Sequence, residues 1–193
     1  MSFRLSLILA LTVSLAACDS AEVEPAQPAS EASQGASSGP PPLSGKIVRF
    51  KAGTEMPALT FKDPTGATLN TEDLRGTPVL LNLWATWCAP CVVEMPLLDQ
   101  LAVEMGDEIK VLTVSQDMRG ADVVVPFFED RDFKRLEQWL DEDANLAAEL
   151  NQEGVMPLTV LFDAEGKELF RVSGDYHWAS DDAIAAIREA IAR

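Results

Sequence analysis

The chain has 193 residues, enough for one domain and a tail, with a formal net charge of −16. That charge excludes a nucleic-acid binder, which needs a basic face, and suits solubility or steering toward basic partners. Three cysteines, an odd number, argue against a disulfide framework; a zinc site needs about four ligands, and beside Cys88 and Cys91 the chain offers one other cysteine, far upstream, and one histidine, His177.

Residues 1–17 read as a signal peptide. Arg4 supplies a positive n-region, and Leu5 to Leu15 an apolar h-region too short to span a bilayer. Leu15-Ala16-Ala17-Cys18 resembles the bacterial lipobox. That resemblance implies cleavage before Cys18 and lipidation of the new N-terminal cysteine, which accounts for the odd thiol. The alternative is an ordinary secretory signal. Two or three acyl chains, at about 0.8 kcal/mol per buried methylene, anchor a protein stably. Asp19 resembles the retention signal of Gram-negative lipoproteins, which implies the periplasmic face of the inner membrane. Ala21 to Pro42, rich in Ala, Pro, Ser, Glu and Gly, cannot bury enough apolar surface to fold. Residues 18–43 are therefore expected as a lipidated flexible tether with a reach of roughly 25 Å. The folded domain is expected over residues 44–193.

Ile47 to Phe50 predicts an edge strand. Leu59–Phe61 and Thr68–Leu69 predict two short strands around the turn Asp63-Pro64-Thr65-Gly66. Thr71 to Leu74 reads as a capped single turn. Val79 to Leu83 predicts a buried strand. Val92 to Met105, apolar at three-and-four spacing, predicts a helix that Pro96 should kink. Ile109 to Ser115 predicts the next buried strand. Gly120 to Glu129 predicts a helix interrupted at Pro126, Glu137 to Leu140 a short strand, and Ala144 to Leu150 a helix. Thr159 to Phe162 and Leu169 to Ser173 predict an antiparallel hairpin. Asp181 to Ala192 predicts a closing helix capped by Ser180 or Asp181.

Between the first buried strand and its helix stands Trp84-Ala85-Thr86-Trp87-Cys88-Ala89-Pro90-Cys91. A cysteine at a helix N-terminus meets free N–H groups and a partial positive charge, which favour its thiolate. Pro90 suits a first helical turn. A bare Cys-x-x-Cys also occurs in zinc sites and haem attachment, but haem needs His where Val92 stands. The full string resembles the thioredoxin superfamily, and within it the membrane-tethered TlpA/ResA-like thiol-disulfide oxidoreductases. The resemblance implies an α/β, thioredoxin-like fold with an N-terminal β-hairpin and a central insertion over Asp117 to Gln152.

It also implies roles. Cys88 is the attacking thiol and Cys91 the resolving one. Trp87, Ala89, Pro90 and Met156 border the substrate, and Pro157 is the cis-proline whose preceding residue offers main-chain hydrogen bonds to it. Trp84 packs beneath. Asn82 stands where thioredoxins bury an aspartate, and it cannot titrate. Glu94, in the pattern Cys-x-x-Cys-x-x-Glu, is the candidate to shuttle the Cys91 proton; a solvated helix glutamate is the alternative. As a negative charge Glu94 would also oppose the helix dipole. His177 reads as an ordinary loop residue. The expected function is extracytoplasmic reduction of protein disulfides, of the cytochrome c or copper-oxidase assembly type, with no bound cofactor or metal. A membrane electron donor of the DsbD/CcdA type is the implied partner. Ala89-Pro90 places the potential in the reducing half of the range from about −270 to about −120 mV. An oxidase or isomerase, or a copper chaperone using Cys88, Cys91 and His177, are the alternatives.

Overall fold

The computed structural model describes residues 43–193. The predicted signal peptide, Cys18 and the tether as far as residue 42 lie outside the described residues. In chain order the strands are β1 (Ile47–Val48), β2 (Thr60–Lys62), β3 (Thr68–Asn70), β4 (Val79–Trp84), β5 (Lys110–Ser115), β6 (Trp139–Leu140), β7 (Leu158–Phe162) and β8 (Glu168–Ser173). The helices are α1 (Ala89–Met105), α2 (Ala121–Glu129), α3 (Asn145–Leu150) and α4 (Asp181–Ile191).

All strands join one mixed sheet, ordered β1-β8-β7-β4-β5-β6-β2-β3. β4 lies at its centre, parallel to β5 and antiparallel to β7. The N-terminal hairpin and the insertion support each other, because β2 pairs with β6 and β6 with β5. Strand alternation divides β4 between two cores. Leu80 and Trp84 pack with α1, α2 and α4 on one face. Val79, Leu81 and Leu83 pack with Leu146 and Leu150 of α3 on the other. Burying each such side chain contributes roughly 1.5–3 kcal/mol.

Three local expectations change. α1 starts at Ala89 rather than Val92, because Cys88 is its N-cap and the Cys88 sulfur accepts the Cys91 N–H at 3.3 Å. α2 is not interrupted at Pro126. A proline removes one helical hydrogen bond; here Pro126 and Asp122, four residues back, are both exposed, so water can serve the freed carbonyl. α3 starts at Asn145, after a left-handed Ala144, and its capping acceptor is Asp141 from the end of β6, which takes the N–H groups of Asn145 and Leu146 at 3.0 and 2.8 Å. At α4 the open choice resolves to Ser180, whose hydroxyl accepts the Ala183 N–H.

Two buried charges tie the added segments to the core. Asp99 of α1 accepts the main-chain N–H groups of Lys134, Arg135 and Leu136 at 3.0, 2.8 and 3.2 Å. Arg171 of β8 pairs with Glu168 at 2.5 Å and donates to the Leu150 carbonyl at the end of α3.

Candidate active site

β4 delivers the chain to the end of the sheet where β5 also ends, since Trp84 pairs with Ser115. The turn that follows is held by Asp117, a residue missed at the sequence level. Asp117, 3% exposed, accepts the Thr86 N–H at 2.9 Å and the Thr86 hydroxyl at 2.7 Å. It also accepts the Ser115 hydroxyl at 2.7 Å. Asp117→Ala leaves these three donors without their acceptor. We expect a loss of about 2–3 kcal/mol in stability, read by denaturant unfolding, together with slower disulfide exchange.

Cys88 and Cys91 form a disulfide, with Cα atoms 5.2 Å apart, across the first turn of α1. Cys88 is the more exposed sulfur-bearing residue, but only by 6% against 1%. Attack is thereby confined to a small patch at Cys88. Ala89 and Pro90 are exposed beside it, and Trp87 stands out at 69% exposure. Trp84 lies beneath at 1%, packed against Phe127 and Phe128 of α2 with ring centroids 4.8 and 6.0 Å away.

The Met156–Pro157 bond is cis. Leu158 pairs with Leu83, so Pro157 stands level with the exit from β4. Pro157 is buried, and Met156 is half-buried against the core cluster that contains both cysteines.

Glu94 is 1% exposed, not a solvated helix residue. It follows Cys91 by three positions on α1, within neighbour distance on a helix. Burial pushes its carboxyl up to about 8. A hydrogen bond from the Trp178 indole to Oε1 opposes that rise, the charge of Asp175 adds to it, and the Tyr176 main chain opposes it again. Glu94 Oε2 has no partner in hydrogen-bond geometry among the described residues. On the same face of the sheet Asn82 is fully buried, its amide donating to the Thr159 hydroxyl at 2.8 Å. His177 is exposed in the loop between β8 and α4. Trp178, its neighbour, is the residue that reaches the site. The available signal was chemical: a buried tryptophan N–H needs an acceptor.

A dithiol at a helix head, a proline loop alongside and a buried carboxyl behind can exchange disulfides and hold a proton. Residues 51–186 match the Redoxin family model. The chain belongs to the Redoxin family. Several of its relatives are thiol-disulfide oxidoreductases by name. It is 28% identical over 130 residues to thiol-disulfide oxidoreductase ResA of Bacillus anthracis, covering 66% of this chain and 72% of that one. It is 37% identical over 115 residues to thiol:disulfide interchange protein DsbE of Pseudomonas fluorescens biotype C, covering 59% and 62%. Against the thioredoxin-like protein YneN of Bacillus subtilis the match is 39% over 72 residues, only 42% of that protein's length. The fold is similar to the exposed lipoprotein thioredoxin Etrx1 of Streptococcus pneumoniae, with a TM-score of 0.59 and 27% identity over 69% of this chain and 99% of that one. This Redoxin-family chain is a thioredoxin-like α/β domain and a thiol-disulfide oxidoreductase.

Proposed function

We propose that the protein is a reductant of protein disulfides outside the cytoplasm, held by lipid on Cys18 at the periplasmic face of the inner membrane. One observation carries the exchange chemistry: a closed cysteine pair at the head of α1 with a buried Glu94, its carboxyl pushed up to about 8, one turn behind it. In the reduced enzyme the Cys88 thiolate, favoured by the helix N-terminus, attacks a substrate disulfide. One substrate sulfur leaves and takes a proton from solvent. Where Glu94 is ionised, Cys91 passes its proton to that carboxylate, attacks the Cys88 sulfur and expels the second substrate thiolate. Two electrons have moved from the enzyme dithiol to the substrate, and the oxidised enzyme stores one proton on Glu94. When a donor thiolate opens the disulfide at Cys88, Glu94 returns that proton to the departing Cys91 sulfur.

The dithiol supplies all of this chemistry, so no bound cofactor is invoked. Protein thiols and disulfides are the substrates. Met156 suits a chain-binding role, because its main-chain N–H and C=O make no hydrogen bond within the described residues. The likeness to DsbE supports substrates of the cytochrome c assembly type, and the family resemblance adds the copper-oxidase assembly type. A reductant in an oxidising periplasm needs electrons from across the membrane, which supports a donor of the DsbD/CcdA type. Equilibration with dithiothreitol or glutathione tests the direction of exchange. We expect a potential below about −160 mV; a higher value makes the protein an oxidase or isomerase. Stoichiometric Cu(I) binding without disulfide reduction would instead favour the copper chaperone. Mass spectrometry of the mature protein tests the anchor, which an unmodified Cys18 would refute.

A further inference from the structure

The segment from Gly174 to Ser180, between β8 and α4, builds the surroundings of Glu94. Trp178 is 0% exposed, and its indole N–H donates to Glu94 Oε1. Tyr176 meets Trp178 edge-on, with centroids 4.9 Å apart and planes at 61°, which helps fix the indole. An indole N–H donates and never accepts. It therefore occupies one carboxyl oxygen and leaves Oε2, which no donor among the described residues meets in hydrogen-bond geometry, to carry a proton.

The start of the domain clamps this segment. Ser44 donates to Asp175 Oδ1 through its main chain at 3.0 Å and its hydroxyl at 2.7 Å. The Gly45 N–H donates to the Asp175 carbonyl at 2.8 Å. A side chain at Gly45 would come within 2.6 Å of Val172 Cγ1 and 2.8 Å of two main-chain oxygens, so only glycine fits this approach.

We propose that Trp178 is a positioning residue for disulfide exchange: its indole N–H holds one oxygen of Glu94 so that the other exchanges a proton with Cys91. The inference rests on the reading of Glu94 as the proton holder. The proton leaves the Cys91 sulfur when Cys91 attacks Cys88 and returns when the disulfide opens; Trp178 neither gains nor loses one. Asp175 and Tyr176 face Glu94 from the loop and Cys91 from its own helix. β4 presents the neutral Asn82 on that side, and α4 begins with the exposed Asp181 and Asp182. No cation among the described residues acts on Glu94.

Trp178→Phe in the full oxidised chain removes the donor and keeps an aromatic body. The midpoint of the Glu94 carboxyl, followed by carbon-13 NMR, should rise by about one unit or more. The pH profile of exchange should move the same way, and in a Glu94→Gln background Trp178→Phe should not move it. Should the phenylalanine variant not fold, benzothienylalanine at 178, with sulfur in place of the N–H, must give the same rise. An unchanged Glu94 midpoint overturns the positioning role. A raised midpoint with an exchange profile that neither Trp178→Phe nor Glu94→Gln moves keeps the hydrogen bond and overturns the proton-holding role on which the inference rests.

Discussion

Replacing Cys88 with Ala will bring disulfide reduction down to the uncatalysed rate, while replacing Cys91 with Ala will stop turnover at a different step. The two variants differ because the two sulfurs have different surroundings. Cys88 caps α1, and what little exposure the pair has lies mostly there. Cys91 is buried one turn inside the helix and can reach only Cys88. Without Cys88 the described residues offer no accessible thiol. Without Cys91 the first attack proceeds but the mixed disulfide has no internal partner to release it. A stopped-flow assay on a peptide disulfide should therefore show no burst for Cys88→Ala and a single-turnover burst for Cys91→Ala. Equal bursts would remove the distinction between attacking and resolving thiols.

Glu94→Gln will stabilise the oxidised protein in a pH-dependent way. With its carboxyl raised from 4.5 to about 8, Glu94 keeps its proton in the folded state over a range where the unfolded chain has lost it. The folded state binds more protons there, so stability falls as pH rises from about 4.5 and levels off above about 8. A displacement of this size amounts to a cost on the order of 5 kcal/mol at the alkaline end. Gln cannot ionise and retains an oxygen for the Trp178 indole. The stability difference between Glu94→Gln and the parent should be flat below about pH 4.5, grow in favour of Gln through neutrality, and flatten again near pH 8. Urea unfolding at several pH values measures it. A difference independent of pH would mean that Glu94 ionises in the fold as it does in the open chain.

The reactive turn was legible because its chemistry is local. A buried strand, a tryptophan-flanked Cys-Ala-Pro-Cys and an amphipathic helix are contiguous in the chain, and the cis bond at Pro157 follows from a family pattern that the sequence carries intact. Burial of Glu94 was only one of two readings, because a helix position gives its neighbours along the helix and not what the rest of the chain lays over it. That cover comes from Trp178, 84 residues away. Asp117 was missed for the same reason: its partners Thr86 and Ser115 lie on two chain segments that parallel pairing brings together. The passage of α2 through Pro126 depends on which side of the helix faces water, which the apolar stretch 123–128 does not reveal. The join between β2 and β6 rests on a single pair, Lys62 with Leu140, and no short-range pattern marks it.

The central chemical claim is that one sulfur of the pair receives the substrate and the other releases it. Mass spectrometry of reduced Cys91→Ala protein mixed with a peptide disulfide, followed by proteolytic mapping, tests this most directly. The account predicts one peptide adduct per chain, carried on Cys88 and discharged by added thiol. Absence of an adduct, or an adduct on another residue, would contradict it.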